Sequence, residues 1–173
     1  MDKSFLNPNE ILKNLELKEN MVAVDFGSGS GGWALPLAKK LENGKVYAID
    51  ILEEPLSALR AKAKLEKVSN VQTILADVEK GMETLKEASC DLVLMTNLLF
   101  QCGNKKKVLE EGKRVLKKGG RVLVVDWKKA APLGPKEGRV SPEEVKETAL
   151  ALNLRIEKEF DAGSFHYAII LLK

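Results

Sequence analysis

Apolar residues recur along this chain with two periods that take turns. Across Asn9–Leu17, Ile11, Leu12 and Leu15 mark one helical stripe, opened by Asn7-Pro8-Asn9. Met21–Phe26 is a continuous apolar run broken by glycines, the pattern of a buried parallel strand. A helix is predicted from Gly32 to Leu41, with Trp33, Leu37 and Leu41 at i, i+4 and i+8. Asn43-Gly44 ends it, and Lys45–Ile49 forms a second strand closed by Asp50. The unit then repeats in kind: helix Leu56–Glu66, strand Val71–Leu75 with Asp77 at its end, and a short helix Glu79–Lys86. Strand Cys90–Thr96, the charged helix Lys105–Leu116 and, after Lys118-Gly119-Gly120, strand Arg121–Asp126 follow. Such alternation implies a parallel sheet with right-handed crossovers and helices on both faces.

The last third breaks that rhythm. After a Pro- and Gly-rich loop over 128–140, Ser141-Pro142-Glu143-Glu144 starts a helix with Ser as N-cap, Pro at N1 and Glu at N3, running to Leu152. Arg155–Phe160 and His166–Leu172 then lie close enough to pair as an antiparallel hairpin across Asp161–Ser164. A hairpin is not the ending of a standard dinucleotide-binding sheet; it suits a seven-stranded sheet with one reversed strand.

Bulk properties narrow the class. The 173 residues suit one domain, 1–173, with 1–18 as an N-terminal helical segment. A net charge of +3, with most basic residues being Lys interleaved with Glu, demands no nucleic acid. The segment Met1–Pro8 lacks the apolar core of a signal peptide, and Tyr167–Leu172 is too short to span a bilayer. Cys90 and Cys102 have neither CxxC nor His-rich spacing, so free thiols and no metal site are expected. The expectation is a soluble cytoplasmic protein, monomer or homodimer.

The candidate chemistry begins where the first strand ends. Asp25-Phe26-Gly27-Ser28-Gly29-Ser30-Gly31-Gly32 lets a ligand approach backbone N–H groups at the start of a helix. Gly27-x-Gly29-x-x-Gly32 also satisfies the dinucleotide fingerprint, so the loop by itself does not choose a cofactor. Its company does. Asp25 sits where a diphosphate would be repelled and an ammonium group attracted. Asp50 ends the second strand, where a carboxylate can accept from both ribose hydroxyls. Asp77 closes the third strand, placed to accept from an adenine amino group while the Val78 backbone reads a ring nitrogen. Three carboxylates thus end three successive strands at the edge where open α/β sheets bind ligands.

These segments resemble the class I methyltransferase family over nearly the whole chain. The likeness is carried by Val22-Ala23-Val24-Asp25-Phe26-Gly27-Ser28-Gly29-Ser30-Gly31, Val46–Asp50, Ala76-Asp77-Val78, Asp91–Leu94 and Val115–Arg121. Among its branches, the chain is most similar to the ubiquinone/menaquinone-biosynthesis type of small-molecule methyltransferase. The resemblance implies a three-layer αβα Rossmann-like α/β fold with strand order 3-2-1-4-5-7-6 and strand 7 antiparallel. It implies S-adenosyl-L-methionine as cofactor and S-adenosyl-L-homocysteine as product, held by Asp25, Gly27, Ser28, Gly29, Gly31, Asp50, Ile51, Asp77, Val78 and Asn97. Thr96-Asn97-Leu98-Leu99 is not the Asn/Asp-Pro-Pro-Tyr of amino-directed nucleic-acid enzymes, and Cys102 follows Gln101 rather than Pro, a poor match to a cytosine-C5 nucleophile.

A sulfonium methyl needs an acceptor held in line and water excluded, with a base only where the acceptor must lose a proton. Asp126, Asn97 and His166 are the candidates for that base, with Gln101 and Trp127 projecting from the same edge. His166 is expected to be a partly exposed strand residue. Phe5 and Trp127 are candidate pocket walls, and the loop 128–140 is expected to border the acceptor, with Lys128, Lys129 and Arg139 able to favour an anionic one. The alternatives are an NAD-dependent oxidoreductase, a non-catalytic cofactor-binding regulator, and an RNA methyltransferase using Lys105-Lys106-Lys107, Lys113-Arg114 and Lys117-Lys118. Glu110 and Glu111 interrupt that basic face.

Overall fold

A computed structural model describes residues 6–173. The elements in chain order are α1 (Pro8–Leu12), β1 (Val22–Phe26), α2 (Ala34–Lys40), β2 (Lys45–Asp50), α3 (Glu53–Leu65), β3 (Val71–Leu75) and β4 (Cys90–Thr96). A short 3-10 turn (Leu99–Gln101), α4 (Lys105–Val115), β5 (Leu116–Trp127), α5 (Pro142–Ala151), β6 (Arg155–Asp161) and β7 (His166–Leu172) follow. The seven strands form one sheet in the order β3-β2-β1-β4-β5-β7-β6. All pairs are parallel except those of β7, which runs antiparallel to both β5 and β6. The expected fold and strand order are therefore those observed.

Strand alternation divides the core into two layers. Val24, Phe26, Val93, Met95, Val122 and Val124 face α4 and α5, where Val108, Leu109, Val145 and Ala149 cover them. Ala23, Leu92, Leu94, Leu123 and Val125 face the other way, under Leu12 of α1 and Ala34, Leu37 and Ala38 of α2. All these side chains are buried. The sheet is thus covered on both faces, leaving the C-terminal edge of β1, β2, β4 and β5 as the place for chemistry.

Several boundaries differ from expectation, each for a local reason. Helix α1 ends at Leu12, not Leu17, because the Asn14 side-chain amide donates to the Ile11 carbonyl at 3.1 Å and competes with the helical ladder. Leu15 is still buried, reached by a turn. Gly32, expected to open α2, lies in the loop before Ala34 with Trp33 at the cap, and α3 starts earlier, at Glu53, after Asp50 takes the Leu52 N–H at 3.0 Å. Strand β5 begins at Leu116, directly from α4, rather than at Arg121.

The expected helix Glu79–Lys86 is absent; turns replace it. Gly81 lies at φ +82, and the backbone groups a helix would pair internally are taken by α4. The Met82 N–H donates to Glu111 at 2.9 Å, while Arg114 donates to the Met82 and Leu85 carbonyls at 2.8 and 2.9 Å. Glu111, read from sequence as part of an exposed face, is buried and paired with Arg114 at 2.6 Å. Removing one member of a buried pair costs about 3–5 kcal/mol. With Arg114 one-third exposed, Glu111→Leu should lower stability by about 3 kcal/mol in urea unfolding. The double change with Arg114→Met should recover part of that loss; a neutral single variant would show that this network does not hold the segment.

Candidate functional site

The C-terminal edge gathers the carboxylates that the sequence placed at successive strand ends, but each sits differently. Asp50 accepts the Gly29 N–H at 2.9 Å with one oxygen and the Leu52 N–H at 3.0 Å with the other. It therefore ties the glycine loop to the start of α3. The Ser28 N–H donates to the Ile49 carbonyl at 2.8 Å, so the loop leans from β1 across β2. Gly31, at φ +90, is wedged so closely that a Cβ would come within 2.9 Å of Leu59. Gly29, at φ +52, has open space where its Cβ would be, and that side of the loop is accessible to a ligand.

Asp25 lies beneath this loop. It is fully buried, and neither carboxyl oxygen has a hydrogen-bond partner. Burial, with the negative charge of Asp50 added, pushes its pKa up to about 8 against a smaller downward pull from the Ala34 backbone N–H, which faces the carboxyl without reaching hydrogen-bond geometry. The only other buried side-chain oxygens or nitrogens without partners, among the described residues, are Ser28 Oγ, Asn97 Oδ1 and His166 Nε2. All belong to the ends of β1 and β4 or the start of β7. Asn97 also takes the left-handed backbone conformation, φ +51, a strained setting for a non-glycine residue and a common feature of functional sites. Its N–H donates to the Val125 carbonyl at 2.8 Å, and its carbonyl accepts from Gln101 Nε2 at 2.7 Å.

A cleft opens beside the loop, bounded by Gly27, Asp50, Ile51, Asp77, Val78 and Leu98, with Glu79, Gln101 and Cys102 also on its wall. Ile51 is exposed along it, whereas Val78 is buried. Asp77 accepts the Glu79 N–H at 3.0 Å and pairs with Lys80 at 3.1 Å; these two contacts, the N–H first, hold its carboxyl below the usual range. The Cys102 thiol donates to the Leu98 carbonyl at 3.4 Å, and burial pushes it up to about 11, which keeps it unreactive. Glu79, which no local pattern marks, accepts the Asn104 N–H and pins the start of α4 to the far wall.

The three residues proposed from sequence as bases are not equal. Asp126 is fully buried, and burial pushes it up to about 6. Its oxygens accept the Trp127 N–H at 2.8 Å and the Phe100 N–H at 3.3 Å, so it anchors the 3-10 turn. His166 is buried rather than partly exposed, because β7 pairs with β5 through Trp127 and the indole lies 4.0 Å from the imidazole. Burial, then the charge of Lys128, pushes its pKa down to about 4, leaving it neutral. Asn97 has no titratable group and presents its partnerless oxygen instead.

The cations expected to attract an anion are already engaged. Lys128 pairs with Asp161 at 2.6 Å and Lys129 with Glu144 at 2.8 Å, while the Arg139 guanidinium donates to the Pro135 carbonyl at 2.6 Å. The basic stripe considered for RNA is also broken: Arg114 turns inward to Glu111, and Lys117 pairs with Asp91 at 2.9 Å. Phe5 lies outside the described residues.

Because the folded, ligand-free protein keeps a proton on Asp25 that the unfolded chain has released above about 3.8, its stability falls as pH rises from that value towards 8. Asp25→Asn should raise the melting temperature relative to the parent, and the gain should grow between pH 5 and pH 8. A difference between the two proteins that stays constant with pH would remove the buried charge as its cause.

A family model described as a methyltransferase domain matches residues 17–166. A demethylmenaquinone methyltransferase of Bacillus mycoides is 27% identical over 133 residues, 76% of this chain and 55% of that protein. An uncharacterized protein of Methanocaldococcus jannaschii is 31% identical over 130 residues, covering 71% of this chain and 55% of that one. The chain thus spans about half the length of the curated relatives it matches. Among solved structures, a SAM dependent methyltransferase from Aquifex aeolicus superposes with a TM-score of 0.88 at 29% identity, over 96% of this chain and 89% of that chain.

Proposed function

The chain belongs to the methyltransferase-domain family, and from that premise we propose that it transfers the methyl group of S-adenosylmethionine to an uncharged small molecule at the ends of β4 and β5. The observation that carries the cofactor reading is the set of buried atoms without partners around the glycine loop: both Asp25 oxygens, Ser28 Oγ and Asn97 Oδ1. A buried polar group left unpaired costs about 1–3 kcal/mol. A ligand that brings hydrogen-bond donors to this point relieves that deficit. The α-ammonium of a methionyl group fits Asp25, since it offers three donors and a positive charge that favours the ionised carboxylate. A diphosphate in the same place would meet a carboxyl that repels it when ionised and offers it only one hydrogen bond and no positive charge when protonated, which disfavours NAD. Asp50 retains lone pairs for ribose hydroxyls beyond those given to Gly29 and Leu52, and Ile51, Asp77 and Val78 suit the base.

The cofactor supplies a methyl group already activated on sulfonium sulfur. What the chain's residues contribute is binding, orientation and exclusion of water. Proximity and orientation account for ~7–11 kcal/mol in reactions of this kind. Asp126 holds the 3-10 turn against the sheet and thereby sets Gln101 beside the cleft and Phe100 on the neighbouring cavity. Leu98 and Leu99, both buried, keep water from the space beneath. The uncharged acceptor is supported by the internal pairing of Lys128 and Lys129 with carboxylates and by the opposite charges of Lys136 and Glu137 on the acceptor side. The relative named as a demethylmenaquinone methyltransferase makes a naphthoquinol the first acceptor to test.

Calorimetry should find S-adenosylhomocysteine binding with release of about one proton at pH 7, because Asp25 is protonated in the free protein and ionised opposite an ammonium. Affinity should rise between pH 6 and pH 8, and Asp25→Asn should abolish the proton release. Binding of NAD without S-adenosylhomocysteine would overturn the reading. A methyl-transfer panel of naphthoquinols, phenols, amines, small carboxylates and RNA should select an uncharged small molecule; preference for a carboxylate or for RNA would reject that part.

A further inference from the structure

The loop over 128–140 has few backbone hydrogen bonds of its own. The Lys128 N–H donates to the Phe165 carbonyl, the Ala131 N–H to the Lys128 carbonyl and the Tyr167 hydroxyl to the Val140 carbonyl, but the carbonyls between are held by one side chain. The Arg139 guanidinium donates through Nε to the Pro135 carbonyl at 2.6 Å and through Nη2 to the Leu133 carbonyl at 2.6 Å. Through Nη1 it donates to the carbonyls of Lys128, Lys129 and Ala131 at 3.1, 3.0 and 2.7 Å. A planar fork with five N–H groups is therefore surrounded by carbonyls from one loop. This use of an arginine engages no carboxylate and no surface charge.

The loop gathered in this way is pressed onto Trp127 and Phe100. At Gly134, φ +93, a Cβ would come within 2.5 Å of the Trp127 ring, and at Gly138 within 2.1 Å of the Phe100 carbonyl oxygen. Between Phe100 and Gln101 on one side and Pro135–Gly138 on the other lies an open cavity of about 570 Å³. Gln101 also lines the cofactor-side cleft, so the two spaces share a wall. Fixing one residue's backbone costs about 1–2 kcal/mol, and a wall ordered during folding does not incur that cost when a ligand binds.

We propose that Arg139 is a positioning residue for the methyl acceptor: its guanidinium, gathered on the carbonyls of 128–135 and closing on that of Pro135, fixes Pro135–Gly138 as a preformed wall, and the cavity between that wall and Phe100 and Gln101 receives the acceptor. The proposal rests on the reading of the chain as a methyltransferase. Lysine is not a substitute, because a single ammonium with three donors cannot span the same carbonyls.

The test compares the parent with Arg139→Gln and Arg139→Lys, after circular dichroism confirms that each variant is folded. Hydrogen exchange of the amides of residues 129–138 and trypsin cleavage after Lys136 are measured without ligand. Both variants should exchange and cleave at least about tenfold faster. S-adenosylhomocysteine affinity should stay within about twofold of the parent, since the cofactor side is not touched. With the acceptor selected by the panel above, KM should rise about tenfold with a smaller change in kcat, and lysine should not rescue it. Unchanged exchange and cleavage in Arg139→Gln overturn the proposal, as does a loosened wall with an unchanged acceptor KM. Failure of the parent protein to bind S-adenosylhomocysteine would instead strike the methyltransferase reading, and the ligand-free exchange measurement separates the two.

Discussion

A carboxyl group buried at the end of the first strand without a hydrogen-bond partner governs the edge of this sheet. Asp25 is placed there by strand alternation: Val24 and Phe26 must face α4, so Asp25 must face α2 beneath the glycine loop. The loop cannot lift away, since Asp50 holds Gly29 and the Ile49 carbonyl holds Ser28. The carboxyl thus takes up a proton instead of ionising, and a ligand with positive charge and donors is the partner proposed for its ionised form. Stability is lowered at that point, a trade that functional sites commonly make.

Elsewhere the fold meets its buried polar demands internally, and the contrast is informative. Glu111 serves Met82 and Arg114, and the Tyr167 hydroxyl donates to the Val140 carbonyl at 2.9 Å. Asp126 serves the backbone of the 3-10 turn, and Arg139 serves the loop after β5. Each ties a segment of irregular backbone to a regular element, so the connections over the C-terminal edge are held by side chains rather than by ladders. The atoms left without partners, by contrast, cluster on that same edge, at the ends of β1 and β4 and the start of β7.

The two parts of this edge are built differently as a consequence. The glycine-loop side, proposed for the cofactor, depends on backbone conformation close to the sheet, with glycines and strand ends in fixed order. The side proposed for the acceptor depends on a long loop, an arginine from its far end and a turn held by an aspartate on the neighbouring strand. The first is local in sequence; the second is assembled from residues 100, 126, 134 and 139, which meet only when β4, β5 and α5 have docked.

Legibility follows that division. Strand identities, the closing hairpin and the line of Asp25, Asp50 and Asp77 were readable because hydrophobic period and strand-end chemistry are local properties, and the family resemblance supplied the strand order. The helix expected at Glu79–Lys86 was not readable: Met82 and Leu85 are buried as a helical stripe would have them, but Glu111 and Arg114 capture their backbone groups from α4. His166 looked partly exposed in a strand beside a loop, and pairing with Trp127 buried it. Lys128, Lys129 and Arg139 looked like an anion-attracting group because their partners, Asp161, Glu144 and the loop's own carbonyls, are chosen only in three dimensions. By itself the sequence determined the alternating α/β architecture, the glycine loop and the carboxylates at its edge. Tertiary structure decided which of those charges stay uncompensated, because burial and pairing are set by what packs against a residue, not by its neighbours along the chain.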